Sequence, residues 1–461
     1  MEFATFLGDQ GRDAIVVKRI VTLEHFPAIG PTSSIGQVFL GPFYYYLIAP
    51  FLLLFNYNPG GLAIGVAFLS IIGLIFSYIG IRKISNKKTA DFFLILATFS
   101  YVIVDLSRFS WNPNLLPLFS FITLYFFYLL LKHQKTLHAI LFGAFLSFSI
   151  QLHYLAYLSI IPIFIIILSF ITKERQKNLA LLKKLLISAA AFLFFYSPLI
   201  IFDLKHDFLN SKNLIRMFTD KKIIQHLSGI DRIIDTVTNF FNHVYRMNTN
   251  RYVALIMFFG LLIGYFLLKR LKKADLFYKI NFYNFFFFTI CFSFLNSYRF
   301  PHYYGPAYFS FFYIVAYMFY QLLELSKSKL VKIITVSYFL IFILFNIKYS
   351  FFIKKGGYQI RRAELVAKDI LQENPKQPYQ LVALPFTETD DHFRYFLELM
   401  NRRPLPADTL ADPKELIVLC FLEECNVLND GQWQIAAFKN KKIAKVWHFQ
   451  EITIYKIVHG Q

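Results

Sequence analysis

The sequence predicts a polytopic α-helical membrane protein with a small α/β domain at its C-terminal end, and three observations carry that prediction. Hydrophobic residues make up 56% of the 461, with Phe alone occurring 57 times, and mean hydropathy is +0.48. Apolar runs near the roughly 20 residues that a bilayer-spanning helix needs recur up to about residue 346. After Lys348 the pattern becomes that of a soluble domain. The expected division is 1–59, a first outer loop with an interfacial helix; 60–347, a transmembrane bundle with an outer loop at 204–250; and 348–461, an extracytoplasmic α/β domain. The net charge of +20 would point to nucleic acid in a soluble chain. Here much of the Lys and Arg fills short gaps between apolar runs, where it sets orientation, so nucleic acid is excluded as a partner and membrane lipids are expected.

Residues 1–36 are polar and mixed, with no run long enough to cross and no signal-peptide pattern. An apolar stretch at 40–56 follows. About ten crossings then fall at 60–81, 90–107, 114–131, 137–152, 154–171, 184–203, 251–268, 278–296, 304–323 and 330–347. Lys and Arg cluster in alternate gaps: Arg82, Lys83, Lys87 and Lys88; Lys132 and Lys135; Lys173, Arg175, Lys177, Lys183 and Lys184; Lys269, Arg270, Lys272 and Lys273; Lys327 and Lys329. Those gaps are expected in the cytoplasm. The gaps at 107–114, at His153, at 203–250 and at 296–303, with everything past Lys348, then lie outside. The opening GDQGRD, residues 8–13, reaches that side only if 40–56 does not cross. LGPFYYYLIAPFLLLF reads as an interfacial helix, because its three consecutive Tyr suit the headgroup level and its ends carry no basic anchor. Read as an ordinary crossing, it would put GDQGRD in the cytoplasm.

On that topology the polar groups of an apolar chain converge on one side. They are Asp9, Arg12 and Asp13; Arg108, Trp111, Asn112 and Asn114 in SRFSWNPN; Gln151 and His153 in QLHY; and Tyr298, Arg299, His302 and Tyr303 in SYRFPHYY. Each has a plain structural reading beside the functional one. Asn112 before Pro113 suits a helix N-cap, His153 a satisfied interfacial histidine, and Arg299 and His302 headgroup contacts. As a set they carry more, because ionisable groups at membrane depth are costly and are kept for a ligand, an ion or one another. A carboxylate facing Arg and His at the edge of a hydrophobic bundle suits a lipid-phosphate substrate: Arg neutralises the phosphate leaving group while Asp takes the proton of an attacking hydroxyl. A proton-coupled transporter would place such groups mid-helix in paired halves of the chain. Here they sit at helix ends, and no internal repeat is visible.

The order of these features resembles a GT-C glycosyltransferase of the family 39 type, the group of protein O-mannosyltransferases and lipid A aminoarabinose transferases, especially its uncharacterised bacterial branch. The likeness covers roughly 1–350 and rests on GDQGRDA, on GPFYYYL at 41–47 where a Pro-Pro-Leu-Tyr-Tyr type motif is usual, on SRFSWNPN and on YRFPHYYGP. It implies a GT-C-like bundle and an inverting transfer of sugar from a polyprenyl-phosphate donor to a lipid, glycan or protein acceptor on the extracytoplasmic face of the plasma membrane. Asp9 would be the general base. Arg299 and His302 would contact phosphate, Arg108, Asn112 and His153 would line the sugar pocket, and Arg12, Asp13, Tyr298 and Tyr303 would also bind substrate. No cofactor is implied, and a lone Asp neither demands nor excludes a divalent metal.

The chain departs from the family's pattern in several places. Asp9-Gln10 stands where an Asp-Glu pair is usual, unless Asp13 substitutes; Asn112 stands where many relatives have Asp; and Leu40-Gly41 replaces a lysine found in some of them. Relatives also carry a transmembrane helix before the acidic loop, so Met1 reads as a late start rather than a true loss of that helix. Two other classes share the basic rim and tail groove: a transporter or flippase of lipid-linked sugars, and a non-catalytic envelope-assembly protein.

Between 203 and 250, apolar residues at helical spacing (Ile215, Phe218, Ile223, Ile224, Leu227, Ile230, Ile233, Ile234, Val237) predict one or two interfacial helices. In the C-terminal part, helices are expected at 361–372 and 390–400, and strands at 380–384, 415–422, 434–438 and 451–458. TETDDHFRYF gathers Asp390, Asp391, His392 and Arg394, but consecutive residues on one helical turn diverge, so helix capping plus a solvated face is expected rather than a metal. Cys291 reads as a packing residue. Cys420 and Cys425 are close enough in sequence to pair in an oxidising compartment, although the loop between them is short.

Overall fold

The computed structural model describes residues 2–33, 37–173, 178–219, 229–295, 297–350, 353 and 355–460. Expectations resting on Arg175, Lys177, Ile223, Ile224, Leu227 and Asn296 lie outside the described residues. The first polar segment is not an irregular loop: it opens with helix α1 (Gly8–Val21). Its buried stripe of Gly11, Ala14, Val17 and Ile20 is narrow and partly made of glycine, so hydropathy alone does not reveal it. Helix α2 (Phe43–Leu54) has 12 residues, about 18 Å at 1.5 Å per residue, well short of a hydrocarbon core of about 30 Å. It stays with α1 at one end of the bundle, tied there by Tyr45 Oη donating to Asp13 and by a Tyr44–Ser110 hydroxyl pair at 2.8 Å.

The bundle comprises α3 (Gly60–Ile84), α4 (Lys87–Phe99), α5 (Tyr101–Ser107), α6 (Leu116–His133), α7 (Thr136–Leu152), α8 (Ile160–Lys173), α9 (Asn178–Lys205), α10 (Leu209–Thr219), α11 (Gly229–Tyr245), α12 (Arg251–Arg270), α13 (Leu276–Phe294), α14 (Gly305–Leu325) and α15 (Lys329–Ile347). Seven stretches among the described residues are long and apolar enough to cross a membrane, or eight if α4 and α5, bent by 65°, count as one span. Two further helices, α7 and α13, are hydrogen-bonded along neighbours that are long enough to cross. Asn112 at the entry to α6 donates to the carbonyl of Leu152 at the exit of α7 (2.6 Å), so α7 runs the whole length of α6. Tyr317 near the end of α14 donates to the carbonyl of Lys273 just before α13, and Asn284 donates to the carbonyl of Pro306 at the start of α14.

The ends sort by charge. At one end Lys88 pairs with Glu324 at 3.1 Å and Lys184 donates to Thr136 at 2.7 Å, which gathers the basic gaps. The candidate site residues lie at the other. There α11 packs its buried Thr236, Val237, Phe240, Phe241 and Val244 onto the bundle.

The C-terminal domain contains α16 (Gln359–Gln372), β1 (Tyr379–Leu384), α17 (Asp391–Leu399), β2 (Glu415–Cys420), α18 (Trp433–Ala437), β3 (Lys441–Phe449) and β4 (Ile452–His459). The sheet order is β1-β2-β4-β3, parallel between β1 and β2 and antiparallel elsewhere. Two corrections apply. The stretch expected as a strand at 434–438 is the short helix α18, and β3 was not anticipated because this lysine-bearing strand is mostly exposed and has a bulge between Ile443 and Lys445. Cys420 and Cys425 are disulfide-bonded, with Cα atoms 6.0 Å apart.

TETDDHFRYF is not a solvated face: His392 through Glu398 are buried, because α17 docks on α1. A Cβ at Gly11 would lie 2.3 Å from the His392 nitrogen, so two backbones meet there that only glycine allows, and one at Gly8 would lie 2.1 Å from the side-chain Oγ1 of Thr389. Further along, Glu398 receives Arg19 at 2.9 Å and Lys18 and Arg403 at 3.3 Å each. Gly11→Ala is expected to push α17 off α1 at a cost of about 1–3 kcal/mol, read as a lower melting temperature and faster protease cleavage near residue 355.

Candidate functional site

The site begins with the spacing of α1. Asp9 lies in its first turn, where the exposed N–H groups of a helix favour an anion, and Arg12 follows one turn later on the same face. Arg12 Nη1 donates to Asp9 at 2.8 Å, while Nε and Nη2 both reach Asp13 Oδ1, at 3.0 and 2.8 Å. Asp13 is fully buried and also accepts from Tyr45 at 3.1 Å. Burial pushes its carboxyl up, and the Arg12 guanidinium opposes that shift. The side chain of Asp9 is 47% exposed. One guanidinium thus holds a half-exposed carboxylate in front of it with a buried one behind.

Asp9 and Arg12 open into a cavity of about 360 Å³, walled by Trp111, Asn112, His153, Tyr154, His302 and Tyr303, with Thr32, Ser33, Gln37 and Leu40 at its rim. Four chain segments therefore meet that the sequence keeps far apart. His302 lies with its ring centroid 4.4 Å from Trp111, 4.3 Å from Tyr303 and 6.0 Å from His153. Burial and the neighbouring His302 push His153 well below its ordinary value, so the ring is neutral. Its Nδ1 accepts from the Leu155 N–H at 3.3 Å, which leaves Nε2 carrying the proton.

Six of the sequence candidates therefore share one cavity: Asp9, Arg12, Asn112, His153, His302 and Tyr303. The other four do not line it. Asp13 lies behind Arg12. Arg108 turns to Asp105 at 2.8 Å and to the carbonyl of Phe3. Tyr298 is 53% exposed beside Phe300. Arg299, expected on phosphate, caps α13 instead: its guanidinium donates to the carbonyls of Ser293, Leu295 and Ser297 and to Thr236, and stacks 4.6 Å from Phe292. Those carbonyls have no intrahelical partner, and a buried cation satisfies them. Asn112 is also not the N-cap. That position belongs to Trp111, and Asn112 ties the turn to α7.

The rim residues Thr32, Ser33 and Gln37 were not anticipated, since nothing in a short polar loop marks them. An isolated bridge between Thr32 and Phe39 folds that loop back. Asp391 was also missed as a neighbour of the site. The docking of α17 brings its charge near Asp9 and Arg12, and burial together with Asp390 pushes its carboxyl up to about 6. Among the described residues no three His, Cys, Asp or Glu gather as a metal-holding set.

A second feature is hydrocarbon in character. A groove of about 450 Å³ runs from Phe241 and Tyr245 on α11 past Gly260 and Gly264 to Leu325, between α12, α14 and α15. A Cβ at Gly260 would meet nothing within 4 Å, so the groove is open there.

The chain is a helical membrane bundle with a polar cavity at one end, closed over by a helix that a C-terminal α/β domain clamps, and solved membrane proteins share this fold. Residues 40–202 match the family model described as dolichyl-phosphate-mannose-protein mannosyltransferase, in keeping with the family 39 likeness read from the motifs. The crystal structure of ArnT from Cupriavidus metallidurans bound to undecaprenyl phosphate has a TM-score of 0.61 at 11% identity, covering 99% of this chain and 94% of its own. Its apo state gives 0.56 at 12%, over 98% and 94%. The archaeal oligosaccharyltransferase AglB from Archaeoglobus fulgidus, in complex with an inhibitory peptide and a dolichol-phosphate, gives 0.53 at 13%, over 90% of this chain and 66% of its own. At these identities the likeness is one of fold. No curated protein matches the chain.

Two outcomes follow from the site. A carboxyl raised from 3.8 to about 6 binds more protons folded than unfolded, so its contribution falls as pH rises between those values and is flat above them. Asp391→Asn is expected to raise the melting temperature by a few degrees at pH 7.5 and to flatten that dependence. Arg299→Ala, which removes the guanidinium from the carbonyls of Ser293, Leu295 and Ser297, is expected to cost about 2–4 kcal/mol of stability, seen as a drop in melting temperature.

Proposed function

We propose that this protein is an inverting membrane glycosyltransferase that moves a sugar from a polyprenyl-phosphate donor to an acceptor hydroxyl on the extracytoplasmic face. The observation that carries the reading is the joint opening of Asp9 and Arg12 into one cavity with His153, His302, Asn112 and Tyr303. Asp9, held by Arg12 at 2.8 Å, accepts the proton of the acceptor hydroxyl as its oxygen attacks the anomeric carbon. The bond from that carbon to the phosphate oxygen breaks on the opposite face, and its electron pair leaves on the phosphate. Developing phosphate charge is met by the outer edge of Arg12 and by donors from His302 and Tyr303. Neutral His153 and Asn112 offer hydrogen-bonding groups to the sugar.

The apolar groove supports the lipid part of this reading. Its upper residues Phe241 and Tyr245 belong to α11, whose His243 donates to the carbonyl of Arg299 at 2.8 Å, close to the turn carrying His302 and Tyr303. The comparison structure that holds undecaprenyl phosphate shares the fold. The outer placement is supported by basic residues at the opposite end of the bundle and by the Cys420–Cys425 disulfide, which suits an oxidising compartment.

The test is transfer by purified protein in liposomes, using radiolabelled polyprenyl-phosphate sugars and a crude envelope acceptor. Asp9→Asn is expected to lower transfer by about 10³-fold or more with donor binding retained. Arg12→Ala is expected to lose activity to a similar degree and some stability with it, because Asp13 is left buried and unpaired. Label that crosses the bilayer while still on its lipid would replace this reading with that of a flippase.

A further inference from the structure

The C-terminal domain holds a cleft that the reaction proposed above does not use. It has a volume of about 650 Å³ and lies between the turn after β1 and the residues opening α18, walled by Phe386, Glu388, Thr389, Gln432, Trp433 and Gln434. Two large aromatic side chains stand open in it, Phe386 at 84% exposure and Trp433 at 53%. Both line the same cleft, so a ligand lying in it would meet two apolar ring surfaces. The indole is also held: its N–H donates to the carbonyl of Thr409 at 3.4 Å, which orients the ring and leaves a face free. Gln432 adds a buried side-chain oxygen with no hydrogen-bond partner among the described residues.

The chemistry of this lining is selective. The ring of a sugar presents C–H groups on one face and hydroxyls around its edge, and flat aromatic faces with planar amides match those two surfaces in turn. Glu388 is the one ionisable side chain in the wall, so an anionic ligand is disfavoured. Position adds the rest. Thr389, at the edge of the cleft, rests on Gly8, and the next residue, Asp9, opens into the polar cavity.

We propose that the cleft between Phe386 and Trp433 is a subsite for a neutral acceptor glycan, holding the chain while its end hydroxyl reaches Asp9. This rests on the transferase reading, so the test separates the two. Full-length protein in detergent is titrated with mannotetraose, maltotetraose and chitotetraose by calorimetry and saturation-transfer NMR, with no donor present. At least one is expected to bind, with affinity lost about tenfold or more in Trp433→Ala and kept within about threefold in Trp433→Phe. In the transfer assay Trp433→Ala and Phe386→Ala are expected to raise the acceptor KM about tenfold while acceptor-free hydrolysis of the donor is unchanged. No binding of any of the three by the wild type, competition by a peptide instead, or an unchanged acceptor KM in the double variant overturns the proposal. Glycan binding without donor cleavage supports the cleft and overturns the transferase reading instead.

Discussion

The half-buried guanidinium of Arg12 carries the interaction on which the rest of the site depends. It is shared between Asp9 in the cavity and Asp13 behind it, with Tyr45 of α2 donating to the hidden carboxylate. A buried ion pair adds little to stability compared with well-packed apolar residues, but removing one partner is expensive, about 3–5 kcal/mol, because the other charge is left stranded. What the pair supplies is position. With Asp13 fixed to α2 and Arg12 fixed to Asp13, Asp9 has few orientations left. Asp13 does not open into the cavity: it holds Arg12, which in turn holds Asp9.

The same helix is held from its other side by the C-terminal domain. Gly11 admits α17 to backbone contact, Gly8 takes the side chain of Thr389 just before it, and Glu398 gathers three cations beyond it. The domain thus braces the helix that carries Asp9 and Arg12, and it brings Asp391 towards both. The polar cavity sits where helices begin and end because unsatisfied backbone groups and polar side chains are tolerated there, whereas mid-bundle polar groups must pair with one another, as Asn281, Asn284 and Ser310 do.

Arg299 and Arg12 show why residue type alone does not assign a role. Both are arginines at helix ends on the same side of the bundle. One spends its donors on the carbonyls of Ser293, Leu295 and Ser297, and the other keeps an edge open to a cavity. The difference lies in which backbone groups each meets, and that is settled by how α13 ends against α11.

The sequence by itself determined the membrane class, the many apolar spans, the sorting of basic gaps to one end and most of the segments that meet at the other. It could do so because the bilayer imposes a length and a charge bias that can be read along a single dimension. It also named six residues of the cavity, since ionisable and amide groups are scarce in such a chain. Only the tertiary structure decided that α1 is a helix, that Asp13, Arg108, Tyr298 and Arg299 serve other partners, that β3 is an exposed edge strand, and that TETDDHFRYF is a docking face. Those outcomes depend on contacts between residues up to several hundred positions apart, such as Gly11 with His392, and local periodicity holds no record of them.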